Sequence, residues 1–272
     1  MPVLSSFQCE TLIADHRHYH QPPVFRPHIH DAYEILFLTK GEASYTVEGK
    51  AYSLHKGSLV ITRPLKVHSI TLSADSEYRR YDILFDASIL SSDVCNLLPP
   101  KLDVIHFSGN AMIFELFKKI GFYCSQLSGN ELRIMLSHLT EEILLNVLIA
   151  SRDAQERSTY TTNPLVKQAI KYIERHLTEA LTVDEVCEAL HISQSYLLHL
   201  FDRHLNISPK KYIMSKRLAM AQMALRSGIR PVEVYRQCGF SDYSTFFRAY
   251  KNHFGHAPAI DSDQQDLREL NS

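Results

Sequence analysis

The feature that most constrains the fold of this chain is an internal repeat in its last third. Residues 182–205 have the pattern of a short helix, a tight turn and a second helix, and residues 231–254 repeat it. The offset is 48 residues before the turn and 49 after it, so the second turn is one residue longer. The repeat predicts two helix-turn-helix units, joined by a linker helix over Tyr212 to Arg226.

Polar residues mark the starts of the helices in both copies. Thr182 is followed three residues later by Glu185, which is the pattern of a capping box, and Asp242 is a suitable N-cap for the last helix. The helices between these caps have apolar inward faces: Val183, Val186, Leu190, Leu197, Leu200, Phe201 and Leu205, then Phe246, Phe247, Tyr250 and Phe254.

The charge distribution favours nucleic acid as the partner of this repeat. The whole chain has a net charge of −1, yet residues 163–256 carry +5 and each flank carries −3. A basic block between acidic flanks is typical of a DNA-binding module in an otherwise neutral protein.

Two stretches of the repeat region resemble the signature of the AraC family of bacterial regulators. They are Gly239-Phe240-Ser241-Asp242-Tyr243-Ser244-Thr245-Phe246-Phe247-Arg248 with Phe254-Gly255 and Pro258, and Pro209-x-x-Tyr212-Ile213-x-x-x-Arg217-Leu218-x-x-Ala221. The resemblance covers about residues 165–258. It implies a domain of about seven helices whose two recognition helices enter successive segments of the DNA major groove.

By position, the same resemblance implies which residues contact DNA. The expected base contacts are Gln194, Ser195, Leu198 and His199, then Tyr243, Ser244, Thr245 and Arg248. Arg248 is the strongest candidate for direct readout because a guanidinium group can donate two hydrogen bonds to guanine. The expected contacts to the DNA backbone are Lys210, Lys211, Arg217 and Lys251.

Three positions depart from the family pattern. Asp202 replaces a basic residue, and Tyr235 replaces a small residue where two helices cross. After Pro258, the usual Tyr-Arg is replaced by Ala259-Ile260 and an acidic tail. We therefore expect weaker backbone attraction at the first unit, and altered packing and weaker DNA binding at the second.

The N-terminal half has a different pattern, that of a small β-barrel. Between residues 33 and 85, short apolar runs alternate with turns at Gly41, Gly49 and Gly57. From Asn110 the apolar residues recur at helical spacing, which predicts two amphipathic helices that cover the barrel. Two interpretations remain open: both helices only cover the barrel, or the second also forms a dimer interface.

The fold class is therefore α+β with two domains. We expect a cupin-like sensing and dimerisation domain over residues 1–150 and a polar linker over 151–163. A double helix-turn-helix domain over 164–260 and an acidic tail over 261–272 follow.

Histidines in the barrel resemble cupin motifs. His28, His30 and Glu34 have the His-x-His-x₃-Glu spacing, and His68 falls where the second motif places its histidine. In cupin enzymes such residues bind a metal, and the donor set suits Fe, Mn, Ni or Zn. Because sensor domains of the resembled family often keep this sequence as barrel architecture, we expect no cofactor. If a metal binds, these four residues are its ligands.

An effector is expected at the mouth of the barrel. The candidate pocket residues are Arg26, His28, His30, Tyr33, Glu34, His68 and Tyr81. Strand alternation places His28, His30 and Glu34 on one face. The earlier histidines, His16, His18 and His20, are expected in an N-terminal arm.

These features predict a transcription regulator and not an enzyme. Activation of transcription is the expected mode, with repression as the alternative. We expect a cytoplasmic homodimer that binds promoter DNA, a small-molecule effector and RNA polymerase, with carbohydrate the effector class that the resemblance favours. Five scattered cysteines indicate a reducing compartment, and no apolar run reaches the roughly 20 residues of a membrane span. The alternatives are a metal-dependent cupin enzyme with a DNA-binding tail and a module that binds another protein.

Overall fold

A computed structural model describes residues 3–19, 25–72, 77–91, 93–107, 109–153 and 163–262. The chain forms a β-rich N-terminal domain with covering helices and an all-helical C-terminal domain, which confirms the predicted α+β architecture. Residues 154–162, which include most of the expected linker, and residues 263–272 of the expected tail lie outside the described residues.

The described part of the N-terminal domain contains nine strands in two sheets. They are β1 (Val3–Gln8), β2 (Leu12–Tyr19), β3 (Tyr33–Lys40), β4 (Ala43–Val47), β5 (Lys50–Leu54), β6 (Ser58–Thr62), β7 (His68–Leu72), β8 (Tyr78–Phe85) and β9 (Val104–His106). One sheet has the order β1-β2-β8-β3-β6-β9 and the other β5-β4-β7. The six strands from β3 to β8 match the sequence prediction.

The expectation of an N-terminal arm is wrong for His16 and His18. Both lie in β2, which pairs antiparallel with β8 from Leu12 opposite Phe85 to Tyr19 opposite Tyr78. The alternation of buried and partly exposed residues in β2 is interrupted by polar side chains, so its pattern did not identify a strand. His20 lies outside the described residues.

Three α-helices belong to the described part of this domain: α1 (Val94–Leu97), α2 (Ala111–Gln126) and α3 (Gly129–Asp153). Together with the six-stranded sheet, α2 and α3 enclose one hydrophobic core, in which Phe37 stacks on Phe117 with ring centroids 4.4 Å apart. By length and composition, residues 129–152 could cross a membrane. Their inner face, including Leu136, Ile143 and Leu144, is instead buried in this core, and a single helix of this kind is weak evidence for a membrane span.

The C-terminal domain consists of helices and short turns. Its helices are α4 (Pro164–His176), α5 (Val183–Leu190), α6 (Gln194–Leu205), α7 (Pro209–Arg226), α8 (Pro231–Gln237) and α9 (Tyr243–Phe254). The predicted capping box is present, since the Thr182 and Glu185 side chains each accept a hydrogen bond from the other's backbone. The Asp242 side chain caps α9 by accepting from Thr245 N at 2.8 Å. Each predicted helix-turn-helix unit is therefore present, with α7 between them.

Candidate DNA interface and sensor site

The first unit exposes one face of α6 and buries the other. Leu197, Leu200 and Phe201 are buried in the domain core. The four residues expected to contact bases, Gln194, Ser195, Leu198 and His199, are all exposed. The Leu198 side chain is 50% exposed, although it is apolar and has no structural need to be on the surface. This surface is suited to apolar contact with a base, such as a thymine methyl group.

The second unit presents α9 in the same way. Ser244 and Arg248 are exposed, and Tyr243 and Thr245 are half-buried. The Thr245 hydroxyl donates to Asp242 Oδ2 at 2.8 Å, so Thr245 also contributes to the helix cap. The Arg248 Nε donates to Ser244 O of its own helix, at 3.3 Å. The rest of the Arg248 guanidinium group can therefore reach outwards to a base edge.

The expected phosphate contacts divide into two groups. Lys210, Lys211 and Lys251 are exposed, as a phosphate contact requires. Arg217 is buried, and its guanidinium group donates to the backbone oxygens of Leu177 at 2.9 Å and of Glu179 at 2.6 Å. This residue holds the end of α4 against α7, so we no longer expect it to contact DNA.

Two of the departures from the family pattern have visible consequences. Tyr235 is half-buried and packs edge-on against Tyr243 with ring centroids 5.9 Å apart, and its hydroxyl accepts from Arg236 Nε at 2.8 Å. The larger residue is thus accommodated beside the recognition helix. Asp261, the first residue of the expected tail, is 1% exposed and lies beside Arg226, so the folded domain extends past residue 260.

The sensor residues His28, His30, Glu34 and His68 form a compact tetrad. One potential ligand atom from each of them lies within 4.8 Å of those of the other three. His28 and His68 face each other because their backbones form an antiparallel bridge, with both N–O distances 3.0 Å. Glu34 enters from β3 and its Oε2 lies 2.8 Å from His68 Nε2 and 3.3 Å from His30 Nε2. His28, His30 and Glu34 lie together, as the prediction that they share a face requires, and His68 lies beside them.

All three imidazoles of the tetrad are oriented by the same kind of hydrogen bond. In each, Nδ1 donates to a backbone carbonyl two residues away, which leaves Nε2 without that proton in the neutral ring. The acceptors are the oxygens of Arg26 at 3.0 Å for His28, Ala32 at 2.9 Å for His30 and Lys66 at 2.8 Å for His68. Such outer hydrogen bonds fix the tautomer and ring orientation of metal-ligating histidines.

Burial and mutual charge set the protonation of the tetrad. Burial alone would raise the pKa of the Glu34 carboxyl, but the His68 and His30 imidazoles hold that pKa well below its usual value. Burial opposes the charge on His68, yet Glu34 raises the pKa of His68 above its ordinary value. Burial and His68 lower the pKa of His28 to about 4, so its ring is neutral near pH 7. Three imidazoles and a carboxylate fit a divalent transition metal.

The remaining candidate pocket residues are not brought to the tetrad. Arg26 is exposed and contributes its carbonyl oxygen to the orientation of His28. Tyr33 stacks on Phe85 at 5.5 Å in the layer that faces the helices. Tyr81 lies in that layer too and lines a separate cavity between the six-stranded sheet and α2. The seven residues expected in one pocket therefore occupy different places.

Comparison with known proteins agrees with this two-domain arrangement. A model of the AraC-like ligand binding domain matches residues 13–97, and a helix-turn-helix domain model matches residues 186–260. The chain belongs to the AraC family of transcription regulators. This AraC-family regulator therefore binds DNA through its helix-turn-helix domain and has a domain for a small-molecule ligand, and its family is not one of enzymes.

Relatives of this AraC-family regulator match most of its length. The Msm operon regulatory protein of Streptococcus mutans is 27% identical over 86% of this chain and 85% of its own length. The raffinose operon regulatory protein RafR of Pediococcus pentosaceus is 24% identical over 85% of this chain and 84% of its own. Among solved structures, ToxT of Vibrio cholerae O395 covers 94% of this chain and 97% of its own, with a TM-score of 0.40 and 13% identity.

In this AraC-family regulator, the tetrad lies directly against the DNA-binding domain. Ile29, between two tetrad histidines, and Val67, next to His68, are both buried in one cluster with residues of the helical domain. Their partners in this cluster include Val166, Ile170 and Leu205. A change in the backbone that carries His28, His30 or His68 would therefore alter the packing of the DNA-binding domain.

A buried ion pair connects the domains at the tip of the β4–β5 hairpin. Glu48 Oε1 accepts from Lys216 Nζ at 2.7 Å, and Glu48 Oε2 accepts from the Tyr212 hydroxyl. Lys216 also donates to Leu65 O at 2.6 Å. We name Glu48, Tyr212 and Lys216 the hairpin latch. Sequence patterns did not identify it, because a glutamate before a hairpin glycine looks like an ordinary solvated turn.

A second ion pair joins the domains beside the tetrad. Both carboxylate oxygens of Asp31 accept from Arg226 Nη1, at 3.0 and 2.9 Å, and Arg226 Nε donates to Asp261 at 3.2 Å. Asp261 also accepts from the Tyr250 hydroxyl in the second unit. The chain of contacts runs from the residue after His30 to the helix that carries Arg248.

Proposed function

We propose that this protein activates transcription by binding promoter DNA in a sequence-specific way in response to a small-molecule effector. The exposed faces of α6 and α9, on either side of α7, are the observation that carries this proposal. The effector class is carbohydrate, in keeping with the names of the Msm and raffinose operon regulators. RNA polymerase is the second macromolecular partner, and the cytoplasm is the site of action.

We propose that the protein acts as a homodimer through α3. One side of that helix is buried against the barrel, while Ile134, Leu145 and Ile149 on the opposite side are 42%, 43% and 58% exposed. Residues 11 and 15 positions after the first of these return to the same helical face. Apolar side chains on one exposed face are well suited to pairing with a second copy, since their burial is favourable.

Selection from a random DNA library, at fixed salt, tests this function. The full-length protein should enrich two sequence blocks about one helical turn (roughly 10 base pairs) apart for each subunit. A dimer should enrich two such pairs. A library that shows no enrichment, with and without a panel of sugars, would contradict the proposal.

Arg248→Ala should weaken binding to the selected DNA by about 5- to 150-fold, because a bidentate arginine–guanine contact contributes about 1–3 kcal/mol. It should also relax base preference at one position within the block read by α9. Fluorescence anisotropy at several salt concentrations measures both effects. Arg175→Ala, which removes an exposed arginine at the end of α4, is the matched control and should change affinity little. Equal losses from the two variants would exclude base readout by Arg248.

We further propose that the tetrad binds one divalent transition metal. The common orientation of the three Nδ1 atoms supports this candidate, because it directs the Nε2 lone pairs and the Glu34 carboxylate to one place. The metal would supply a charge that fixes the segments containing Ile29 and Val67, which pack on the DNA-binding domain.

The purified protein, stripped of metal and titrated with Co²⁺ alone, should bind about one equivalent and develop visible absorption typical of nitrogen and oxygen ligands. His30→Gln should reduce the affinity at least about tenfold, because it removes one of four ligands. His138→Gln, in which an exposed histidine of α3 is replaced, should bind like the original protein. Undiminished binding by His30→Gln would show that the metal lies elsewhere.

A further inference from the structure

A cavity of about 800 Å³ lies on the other side of the barrel wall from the tetrad. The cavity lies between the six-stranded sheet and the N-terminal half of α2. His16, Arg79 and Tyr81 line it from the sheet, and Phe114 lines it from α2. Its volume falls within the range of pockets that enclose small organic ligands. We name it the sheet–helix cavity.

The charge of the sheet–helix cavity is positive and largely uncompensated. Lys56, Arg79 and Lys118 line it, with Glu115 as the only acidic residue among its described lining. Lys118 pairs with Glu115 at 2.6 Å. Among the described residues, neither Lys56 nor Arg79 has a carboxylate within 4.0 Å. Two cations are thus free to bind an anion, and arginine is especially suited to phosphate and carboxylate.

Two polar atoms in the wall of this cavity are buried without a hydrogen bond from the described part of the chain. They are His16 Nε2 and Arg79 Nε. A buried polar atom without a partner is costly, and such atoms are rare unless water or a ligand satisfies them. The two side chains come from adjacent strands, and the Arg79 backbone is held by the Thr39 hydroxyl at 3.0 Å, so both belong to a fixed part of the sheet wall.

An aromatic surface completes the site. The His16 ring stacks on Tyr81 with centroids 3.9 Å apart and an angle of 13° between the planes. Burial, and then the charge of Arg79, lower the pKa of His16 to about 4, so its ring is neutral near pH 7. Lys56 Nζ lies 5.8 Å from the centre of the Phe114 ring on the opposite wall. The body of a ligand would lie between this ring pair and Phe114, with its charged group at the cations.

We propose that the sheet–helix cavity binds a small anionic sugar, through a phosphate or carboxylate held by Arg79 and Lys56. This inference rests on the proposed function, because it names the effector more narrowly than carbohydrate. The ligand would contact α2, which packs along α3, the proposed dimer helix. Occupancy of the cavity would therefore act on the dimer, while the tetrad acts on the contact between the domains.

Calorimetric titration of the full-length protein tests the proposal. The probes are glucose 6-phosphate, glucuronate, glucose and inorganic phosphate. We expect at least one of the two anionic sugars to bind about tenfold or more tightly than glucose, and the preferred one distinguishes phosphate from carboxylate. Binding of inorganic phosphate alone would show a site for an anion without the sugar and would overturn the proposal, as would the failure of both anionic sugars.

Variants locate the binding. Arg79→Gln should weaken binding of the preferred sugar about tenfold, and Lys56→Gln should weaken it several-fold, because each removes one cation. Lys101→Gln, an exposed lysine outside the cavity, should have no effect. Since Lys56 is exposed in a turn, its replacement keeps the test valid if Arg79→Gln does not fold. If Lys56→Gln and a folded Arg79→Gln both bind the preferred sugar with unchanged affinity, the assignment is overturned.

The binding of an anionic sugar and the selection of a DNA motif are measured separately, so either proposal can fail alone. If the protein selects a DNA motif but binds neither anionic sugar, the cavity proposal fails and the DNA-binding function stands. If it binds an anionic sugar but selects no DNA motif, the reverse holds.

Discussion

Replacing Glu48 with alanine should lower the free energy of unfolding by about 3 kcal/mol and loosen the contact between the two domains. The Lys216 side chain is 4% exposed and would lose its closest carboxylate. Glu174 at 3.3 Å and Leu65 O at 2.6 Å would remain, but Glu174 is itself partly exposed. A buried ammonium group with incomplete pairing is strongly destabilising, so the helical domain should move away from the hairpin.

Urea unfolding followed by circular dichroism measures the stability, and limited proteolysis measures how accessible the contact between the domains becomes. Glu42→Ala, an exposed glutamate in the turn before β4, is the control and should change neither. The double variant Glu48→Ala with Lys216→Met should recover part of the loss, since it no longer buries an unpaired charge. If Lys216→Met lowered the free energy of unfolding equally with and without Glu48→Ala, the two residues would not be directly coupled.

The same latch separates two kinds of control over DNA binding. Loss of Glu48 leaves the recognition surfaces of α6 and α9 unchanged, because Glu48 contacts α7 through Tyr212 and Lys216 and the recognition residues lie on other helices. Any change in affinity for the selected DNA would therefore report the orientation of the domains rather than base contacts. Arg248→Ala should instead change base contacts and leave the orientation of the domains unchanged, since the hydrogen bond of that side chain is to its own helix.

Local sequence signals predicted the helical domain closely. Thr182, Glu185 and Asp242 act through hydrogen bonds to residues within three positions, so their roles can be read from the sequence alone. The glycine turns of the barrel were equally informative, since Gly41, Gly49 and Gly57 all have positive φ.

Long-range contacts could not be predicted in this way. Arg217 was expected to contact phosphate from its position in the family pattern, yet it donates to carbonyl oxygens 40 and 38 positions earlier in the chain. Glu48 and Lys216 are separated by 168 positions, and no periodicity relates them. The tetrad was predicted because its motif concentrates three ligands within seven residues, whereas the sheet–helix cavity draws on several strands and a helix.

Gly239→Ala should strongly destabilise the DNA-binding domain. Gly239 has φ of +77° in the turn of the second unit, a backbone region that costs an alanine about 1–2 kcal/mol. A Cβ there would lie 2.6 Å from Leu177 O and 3.0 Å from Arg217 Nε. The backbone oxygen cannot move alone, so the added methyl group must displace the Arg217 hydrogen bonds, each worth about 1.5–3 kcal/mol.

We therefore expect a loss of about 3–5 kcal/mol in urea unfolding, together with loss of binding to the selected DNA. Gly255→Ala is a matched control, because Gly255 has a similar φ of +82° and no atom of the described residues within 4 Å of its added Cβ. It should cost only about 1–2 kcal/mol, the backbone part of the effect. Equal losses from the two variants would show that the contact of Gly239 with Leu177 and Arg217 does not hold the second unit against α4. A larger loss from Gly239→Ala would show that the close contact of this turn with Leu177 and Arg217 stabilises the second unit, the structural role that Arg217 has in place of the expected DNA contact.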